Sequence, residues 1–502
     1  MPDSALFVLI WAHFVSLFIY SIILSYEKWN VNIYVIYFQS IPFTIREKND
    51  KIYLSSKKEV KMNVTNKTVG ILTLGCKVNQ YESEAIAERL ASLDFEIKPS
   101  SDECDAYIIN TCTVTAESDR KARQFIRRAI NKNPNAYILV TGCLAQTDPE
   151  NIAAIAGVDY VCGNTDKLII ADALNSLFYK GEKNQQTEIF VRDIDFAGFE
   201  KMEIKHFDRT RAYIKIEDGC ESKCTYCIIP YARGKIRSKA PEEVICEVTH
   251  FVKNGCREVV LTGIETASYG KDLDGYSFAD LLCDIDKIEG DFTVRLGSLD
   301  PSCLTEKFVE KIKNLKKLAP HFHISMQSGS SKTLRNMKRK YNADQALTNM
   351  ERLRSAIPSV RFTTDIIVGF PGETDEDFNE TLEFAKKANF LMIHVFPYSA
   401  RKGTPAAKMS NQIPQEIKKQ RSAELISLEK SIRNTEFDRI LAQNDVHTVL
   451  FESFENGFAY GHTPDFLEVC VKSEAPLHSE VLSVRLLNHN GETFFAEIVD
   501  KQ

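Results

Sequence analysis

The chain has no excess of basic charge. Its 63 Lys and Arg face 69 Asp and Glu, for a net charge of −6. No overall positive field therefore marks a nucleic-acid partner, and any such contact has to come from local patches. It has no even set of cysteines, and 13 in a chain of 502 residues argue against a secreted disulfide framework. It has no compositional lean toward disorder, with 44% hydrophobic and 26% charged residues. Residues 5–25, "ALFVLIWAHFVSLFIYSIILS", contain no Asp, Glu, Lys or Arg. That stretch is long enough to span a bilayer, and basic residues follow it with none before it, which favours a cytoplasmic body. No small-residue cleavage site is evident, so a signal peptide is a poor reading. Met62 opens a sequence that runs straight into the first apolar strand. Residues 1–61 are therefore expected to be an extension upstream of the working start, with a membrane segment as the alternative.

At this length two to four domains are expected. From Thr68 onward a repeat is visible. The apolar runs "TVGILTLGC", "AYIINTC", "AYILVTGC" and "VDYVCGN" alternate with helical stretches such as "NQYESEAIAERLASL", in which Ile86 and Leu90 share a face. Alternating strands and helices predict a doubly wound parallel sheet over residues 67–180. Ligands bind such sheets at the carboxyl ends of the strands, and Cys76, Cys112 and Cys143 each stand at one of those ends. Residues 180–205 read as a linker. A second alternation fills residues 206–436, with strands "AYIKIE", "EVVLTGI", "TVRLGSL", "FHISMQS", "RFTTDIIVGF" and "MIHVFPYS". Six strand–helix units predict an open or partial barrel, smaller than the eightfold one. A long polar helix is expected over 414–442. The short alternating runs of 440–502 predict a small antiparallel barrel or sandwich.

The loop "IEDGCESKCTYCIIPYARG" carries Cys220, Cys224 and Cys227 and then stops. A closed zinc site wants four ligands, commonly as two pairs. No second C-x-x-C lies downstream, and the nearest histidine, His206, precedes the strand. A four-iron cluster on three thiolates, leaving one iron open, fits this polar loop better, with zinc as the alternative. Cys76, Cys112 and Cys143 recur in consecutive repeats and fit a second set of three. Cys162, Cys246, Cys283 and Cys303 read as small core residues.

These residues carry a resemblance. The C-x3-C-x2-C loop with Tyr226 resembles the radical S-adenosylmethionine enzymes. Together with "TLGCKVNQYESE", "NTCTVT", "TGCLAQ", "CTYCIIPYARGKIRS", "SMQSGS", "MKRKY", "DIIVGFPGET" and "PYSARKGTPA" it resembles the methylthiotransferase family from about residue 68 to the C-terminus. The resemblance implies an N-terminal domain with an auxiliary cluster, a radical barrel and a C-terminal RNA-binding TRAM barrel. "GCKVNQYES" and "YSARKGTPA" are similar to the branch acting on N6-threonylcarbamoyladenosine at position 37 of tRNA. The branch acting on isopentenyladenosine typically carries Gln-Met-Asn where Lys77, Val78 and Asn79 stand. The branch acting on an aspartate of a ribosomal protein typically carries Pro-Lys-Asn. Two departures are Glu265 in "LTGIETASYG" and Gly297 before Ser298.

The resemblance implies two [4Fe-4S] clusters and S-adenosylmethionine as cofactors. Cys220, Cys224 and Cys227 would hold the radical cluster, whose chemistry needs a dry site. Cys76, Cys112 and Cys143 would hold the auxiliary cluster that carries the sulfur. Candidate S-adenosylmethionine contacts are Thr262, Gly263, Ser298, Gln327, Gly369 and Glu373. The implied partners are tRNA at its anticodon loop and an electron donor such as flavodoxin or ferredoxin, in the cytoplasm. Three basic runs are candidate phosphate contacts: Arg120 to Lys132, residues 331–340, and Arg233, Lys235, Arg237 and Lys239. Phe451, Phe458 and Tyr460 are candidate base-stacking residues. A metal-stabilised RNA-binding module without catalysis is the alternative from a different class.

Overall fold

A computed structural model describes residues 66–499, apart from 182, 184–185 and 206–209, so that His206 lies outside the described residues. Before these, only four short strands are described. Ser21–Leu24 pairs antiparallel with Ile33–Ile36, and Phe43–Lys48 with Lys51–Ser56. The apolar stretch 5–25 otherwise lies outside the described residues. Among the described residues no helix is long and apolar enough to cross a membrane.

The first α/β part is a six-stranded sheet. Its order is Glu188–Phe190, Tyr160–Cys162, Tyr137–Gly142, Ala106–Thr111, Thr68–Thr73 and Glu96–Lys98, and every pairing is parallel. The two central strands are buried along their whole length, as expected for a parallel sheet with helices on both faces. The outermost strand, Glu188–Phe190, falls within the stretch expected to be a linker. Three residues are too few to show a strand period, and the sheet edge supplies the order that local sequence does not.

The second part holds two three-stranded parallel sheets. Arg211–Lys215, Glu258–Thr262 and Thr293–Leu296 form one, and His321–Gln327, Arg361–Val368 and Met392–Pro397 form the other. A bridge between Leu299 and Ile324 joins them, giving the six-stranded partial barrel. Even-numbered Phe322, Ile324 and Met326 pack outward under the helices and are fully buried. The alternate positions His323, Ser325 and Gln327 are only half-buried, as are Arg361, Asp365 and Ile367, and His394 is exposed. Successive strand side chains point to opposite faces. The inner face is therefore polar and open to water, a hollow rather than the packed interior of an eightfold barrel.

The helix Gln415–Gln443 leads into a closed five-stranded barrel, Val446–Glu455, Phe458–His462, Glu468–Lys472, Phe494–Ile498 and Val481–His489. Its Thr463–Phe466 turn enters the lower end of the partial barrel. Phe466 stacks on His321 with ring centroids 4.3 Å apart, and the Arg295 guanidinium lies 4.9 Å from its ring. Arg295 also donates to the Pro464 carbonyl at 3.1 Å, and Arg361 to Asp465 at 2.7 Å. The floor of the hollow is thus closed by the C-terminal barrel.

Candidate active site: two facing thiol trios

Cys76 caps the helix Lys77–Ala91, Cys112 follows the strand Ala106–Thr111, and Cys143 opens the helix Cys143–Thr147. Neighbouring parallel strands bring these three ends to one rim. Gly75 and Gly142 precede two of the thiols, each with φ of +99°, a conformation that glycine adopts without strain. A Cβ on Gly75 would lie 2.9 Å from Cys112 Sγ, so glycine is also what lets the thiols converge. Burial pushes the Cys112 thiol up to about 11, with Cys143 adding to the effect.

Cys220, Cys224 and Cys227 lie in the loop beyond the first barrel strand, at its carboxyl end. The loop is clamped from below. Thr225 donates through its hydroxyl to the Asn336 carbonyl at 2.9 Å and through its N–H to Met337 at 3.1 Å, and its carbonyl accepts from Ala406 at 2.9 Å. Arg339 reaches Cys224 Sγ at 3.3 Å and is itself fixed by Asp300 at 2.8 Å. Glu265, whose role the sequence left open, has its carboxylate 3.4 Å from Cys220 Sγ and 3.1 Å from the Ser222 hydroxyl. Burial and then Glu265 push the Cys220 thiol up to about 12.

A mononuclear tetrahedral site with Zn–S near 2.3 Å would hold sulfurs about 3.8 Å apart. Among the described residues, the one group of three metal-ligating side chains whose ligand atoms all lie within 4.8 Å is His323, Asp365 and His394. Neither thiol trio is drawn in that tightly.

Arg233, six residues beyond Cys227, ties the segment that follows the loop trio to the other trio. Its helix Ile229–Arg233 packs on the helix Cys143–Thr147. The guanidinium is fully buried. Its Nε donates to Cys143 Sγ at 3.4 Å, and it donates to both Glu82 oxygens, to Asn79 Oδ1, and to Asp218 at 3.2 Å. Lys167 and Lys215 also pair with Glu82, Lys215 at 2.8 Å, and Arg237 pairs with Asp218 at 3.3 Å. Four buried cations share these two carboxylates beside the Cys76–Cys112–Cys143 rim. Burial pushes the Glu82 carboxyl up, but Arg233, Lys167 and Lys215 outweigh it and hold it well below the usual range.

The expected cofactor contacts gather at strand ends. Thr262 ends the second barrel strand and Gly263 follows it. Ser298 stands exposed after the third, Gln327 ends the fourth with φ of +67°, and Gly369 follows the fifth with φ of +70°. Glu373 is turned away from the hollow. Its buried carboxylate accepts from the Gly369 N–H at 2.6 Å and from Arg421 at 2.7 Å.

Several sequence expectations are corrected. Arg233, Arg237 and Lys239 are not phosphate contacts: all three are buried in ion pairs, Lys239 with Glu247. Arg339 likewise faces Cys224, not solvent. Phe451 is fully buried in the C-terminal barrel core and offers no stacking face. Cys246 is exposed, because its helix buries Val244, Val248 and Phe251 on the opposite face. Cys162 is buried in the sheet core as expected. On the helix Ala116–Lys132, Arg120, Lys121, Arg127, Arg128 and Lys132 remain exposed.

The chain matches the radical SAM superfamily model over residues 214–385 and the model of uncharacterized protein family UPF0004 over residues 68–163. It is 40% identical over 425 residues to the threonylcarbamoyladenosine tRNA methylthiotransferase MtaB of Bacillus subtilis, covering 84% of this chain and 94% of that protein. It is 44% identical over 356 residues to the MtaB of Thermotoga maritima, covering 71% and 80%. The tRNA-2-methylthio-N(6)-dimethylallyladenosine synthase of Carboxydothermus hydrogenoformans is 37% identical over 396 residues, covering 78% and 89%.

Proposed function

The chain belongs to the radical S-adenosylmethionine methylthiotransferase family, and we propose that it adds a methylthio group to C2 of N6-threonylcarbamoyladenosine at position 37 of tRNA. The relatives of that name span most of the chain. The observation that carries the chemistry is the pair of three-thiol sets, with Arg233, six residues beyond Cys227, donating to Cys143 of the other set.

Cys220, Cys224 and Cys227 would hold one four-iron cluster, and Cys76, Cys112 and Cys143 the other. When bound, the first supplies the electron that cleaves S-adenosylmethionine to a carbon radical, and the second supplies the sulfur to be methylated and inserted. The chain's own residues do the rest. Arg339 and Arg233 donate N–H bonds toward a thiol of each trio, a contact that orients cluster ligands and tunes them. Thr262, Gly263, Ser298, Gln327 and Gly369 would shape the co-substrate seat at the strand ends, with Glu373 and Arg421 fixing the Gly369 turn. Buried Ile228, beside the loop, keeps water from the reacting carbon. The exposed basic face of Ala116–Lys132 would meet RNA phosphates, and an external one-electron donor completes the cycle.

The test is nucleoside mass spectrometry of tRNA from a strain lacking the gene. Loss of 2-methylthio-N6-threonylcarbamoyladenosine, with its unthiolated precursor accumulating, is the expected result. An intact level of that nucleoside together with loss of 2-methylthio-isopentenyladenosine, or a mass loss in a ribosomal protein instead, overturns the reading.

A further inference from the structure

The hollow of the partial barrel carries a cation that the reaction as described does not use. Lys77 directly follows Cys76 and opens the helix Lys77–Ala91, which lies against the first barrel strand. Its ammonium sits 6.0 Å from the Tyr213 ring, on the inner face of that strand. Lys77 and Cys76 are both exposed, so that water and a ligand reach them at this rim. Arg295, Arg211 and the carboxylate of Glu258 stand near enough to act on Lys77.

The other cations of the hollow are taken. Arg211 pairs with Glu258 at 2.8 Å and with Glu452. Arg295 pairs with Glu258 at 2.7 Å, and Arg361 with Asp465 at 2.7 Å and with Glu436. Among the described residues Lys77 makes no ion pair, and the carboxylate that acts on it, Glu258, is already held by Arg211 and Arg295. An unpaired ammonium in a confined hollow is a site for an anion, where a charge-assisted hydrogen bond is strongest.

We propose that Lys77 is the residue that reads the amino-acid carboxylate of the modified adenosine. The inference rests on the substrate reading given above. In N6-threonylcarbamoyladenosine the ureido N–H of the threonine turns back onto adenine N1. The amino acid therefore lies along the edge that also holds C2. The sulfur destined for C2 would be carried at the trio that includes Cys76. A substrate placed with C2 at that trio brings its carboxylate to the same corner of the hollow, and Lys77 is the next residue along the chain. An isopentenyl group on N6 has no charge to offer there and leaves the ammonium unpaired. Lys77 thus rewards one substituent and penalises the other, which is how a single buried polar group gives specificity.

The test is equilibrium binding of the cluster-loaded enzyme to two anticodon hairpins differing at one group. One carries N6-threonylcarbamoyladenosine, the other its threoninamide, which lacks the negative charge. At fixed salt the wild-type chain is expected to prefer the acid by about 10- to 100-fold, the range of a buried charge-assisted hydrogen bond. Lys77→Gln is expected to bind both hairpins alike, and Lys77→Arg to keep most of the preference. Iron content of each preparation shows that the neighbouring thiol site is loaded. Equal affinity of the wild type for acid and amide overturns the proposal without recourse to any variant. A Lys77→Gln chain with normal iron and undiminished preference overturns it as well. If the wild type instead selects an isopentenyladenosine hairpin over both, the substrate reading has failed, and that outcome is distinct from the other two.

Discussion

The two thiol trios are assembled on opposite terms. Cys220, Cys224 and Cys227 lie within eight consecutive residues, and one loop brings them together before any domain meets another. Cys76, Cys112 and Cys143 are brought together by three strands of one sheet and are completed by Arg233 from a different part of the chain. The loop trio is held by the hydroxyl and backbone bonds of Thr225 to the backbone of Asn336, Met337 and Ala406. The scattered trio leans on a buried seam of Glu82, Asp218, Lys167, Lys215 and Arg233. A locally assembled site tolerates loosening of its neighbours. A site assembled across a charged seam does not, because buried ion pairs are costly once one partner leaves.

The contrast is broken most completely by removing the thiols. Two four-iron clusters amount to about eight irons per chain, and either triple Cys→Ala chain is expected to fall to about four. Loss of Cys220, Cys224 and Cys227 should abolish cleavage of S-adenosylmethionine. Loss of Cys76, Cys112 and Cys143 should leave cleavage in place and abolish methylthiolation, as measured by 5′-deoxyadenosine release and nucleoside analysis. Iron equal to the wild type in one of the variants would mean that its trio holds nothing.

A smaller effect should separate the seams. Arg233→Ala strands Glu82 and Asp218 against the remaining cations and should cost about 3–5 kcal/mol in chemical unfolding of the cluster-free chain. Arg339→Ala, at the loop trio, should cost less, since it strands one carboxylate, Asp300, rather than two. The smallest effect is on pH. Glu82 has its carboxyl held below the ordinary value of 4.5 in the folded chain. Its ionised form therefore stabilises folding at pH values above that figure, and the contribution is lost as pH falls below it. The urea midpoint of the cluster-free chain should drop on that acid limb. Glu82→Gln, which does not titrate, should be less stable at neutral pH and show a shallower acid slope.

What the sequence made legible follows the same division. The loop trio could be read from spacing alone, and the scattered trio from strand ends, because a parallel sheet has one functional rim. The six inner strands and the five-stranded barrel were also visible as periodic runs. Arg233 was not. In sequence it belongs to a basic run with Lys235, Arg237 and Lys239, and nothing local announces Glu82, 151 residues away. Arg339 was misread for the same reason. Cys246 was a different kind of miss. The positions 244, 248 and 251 already define the buried face of its helix, and 246 lies off it. The polar cluster of His323, Asp365 and His394 comes from three separate strands and becomes visible only once their register is known.

Phe466 gives the hollow one further property. With the floor stoppered by the C-terminal barrel, small molecules and nucleic acid would both enter from the strand ends. An RNA seated over those ends shuts in whatever has already entered. On the proposed function, the small co-substrate would then board before the nucleic acid, and its spent nucleoside would depart only when the RNA lifts.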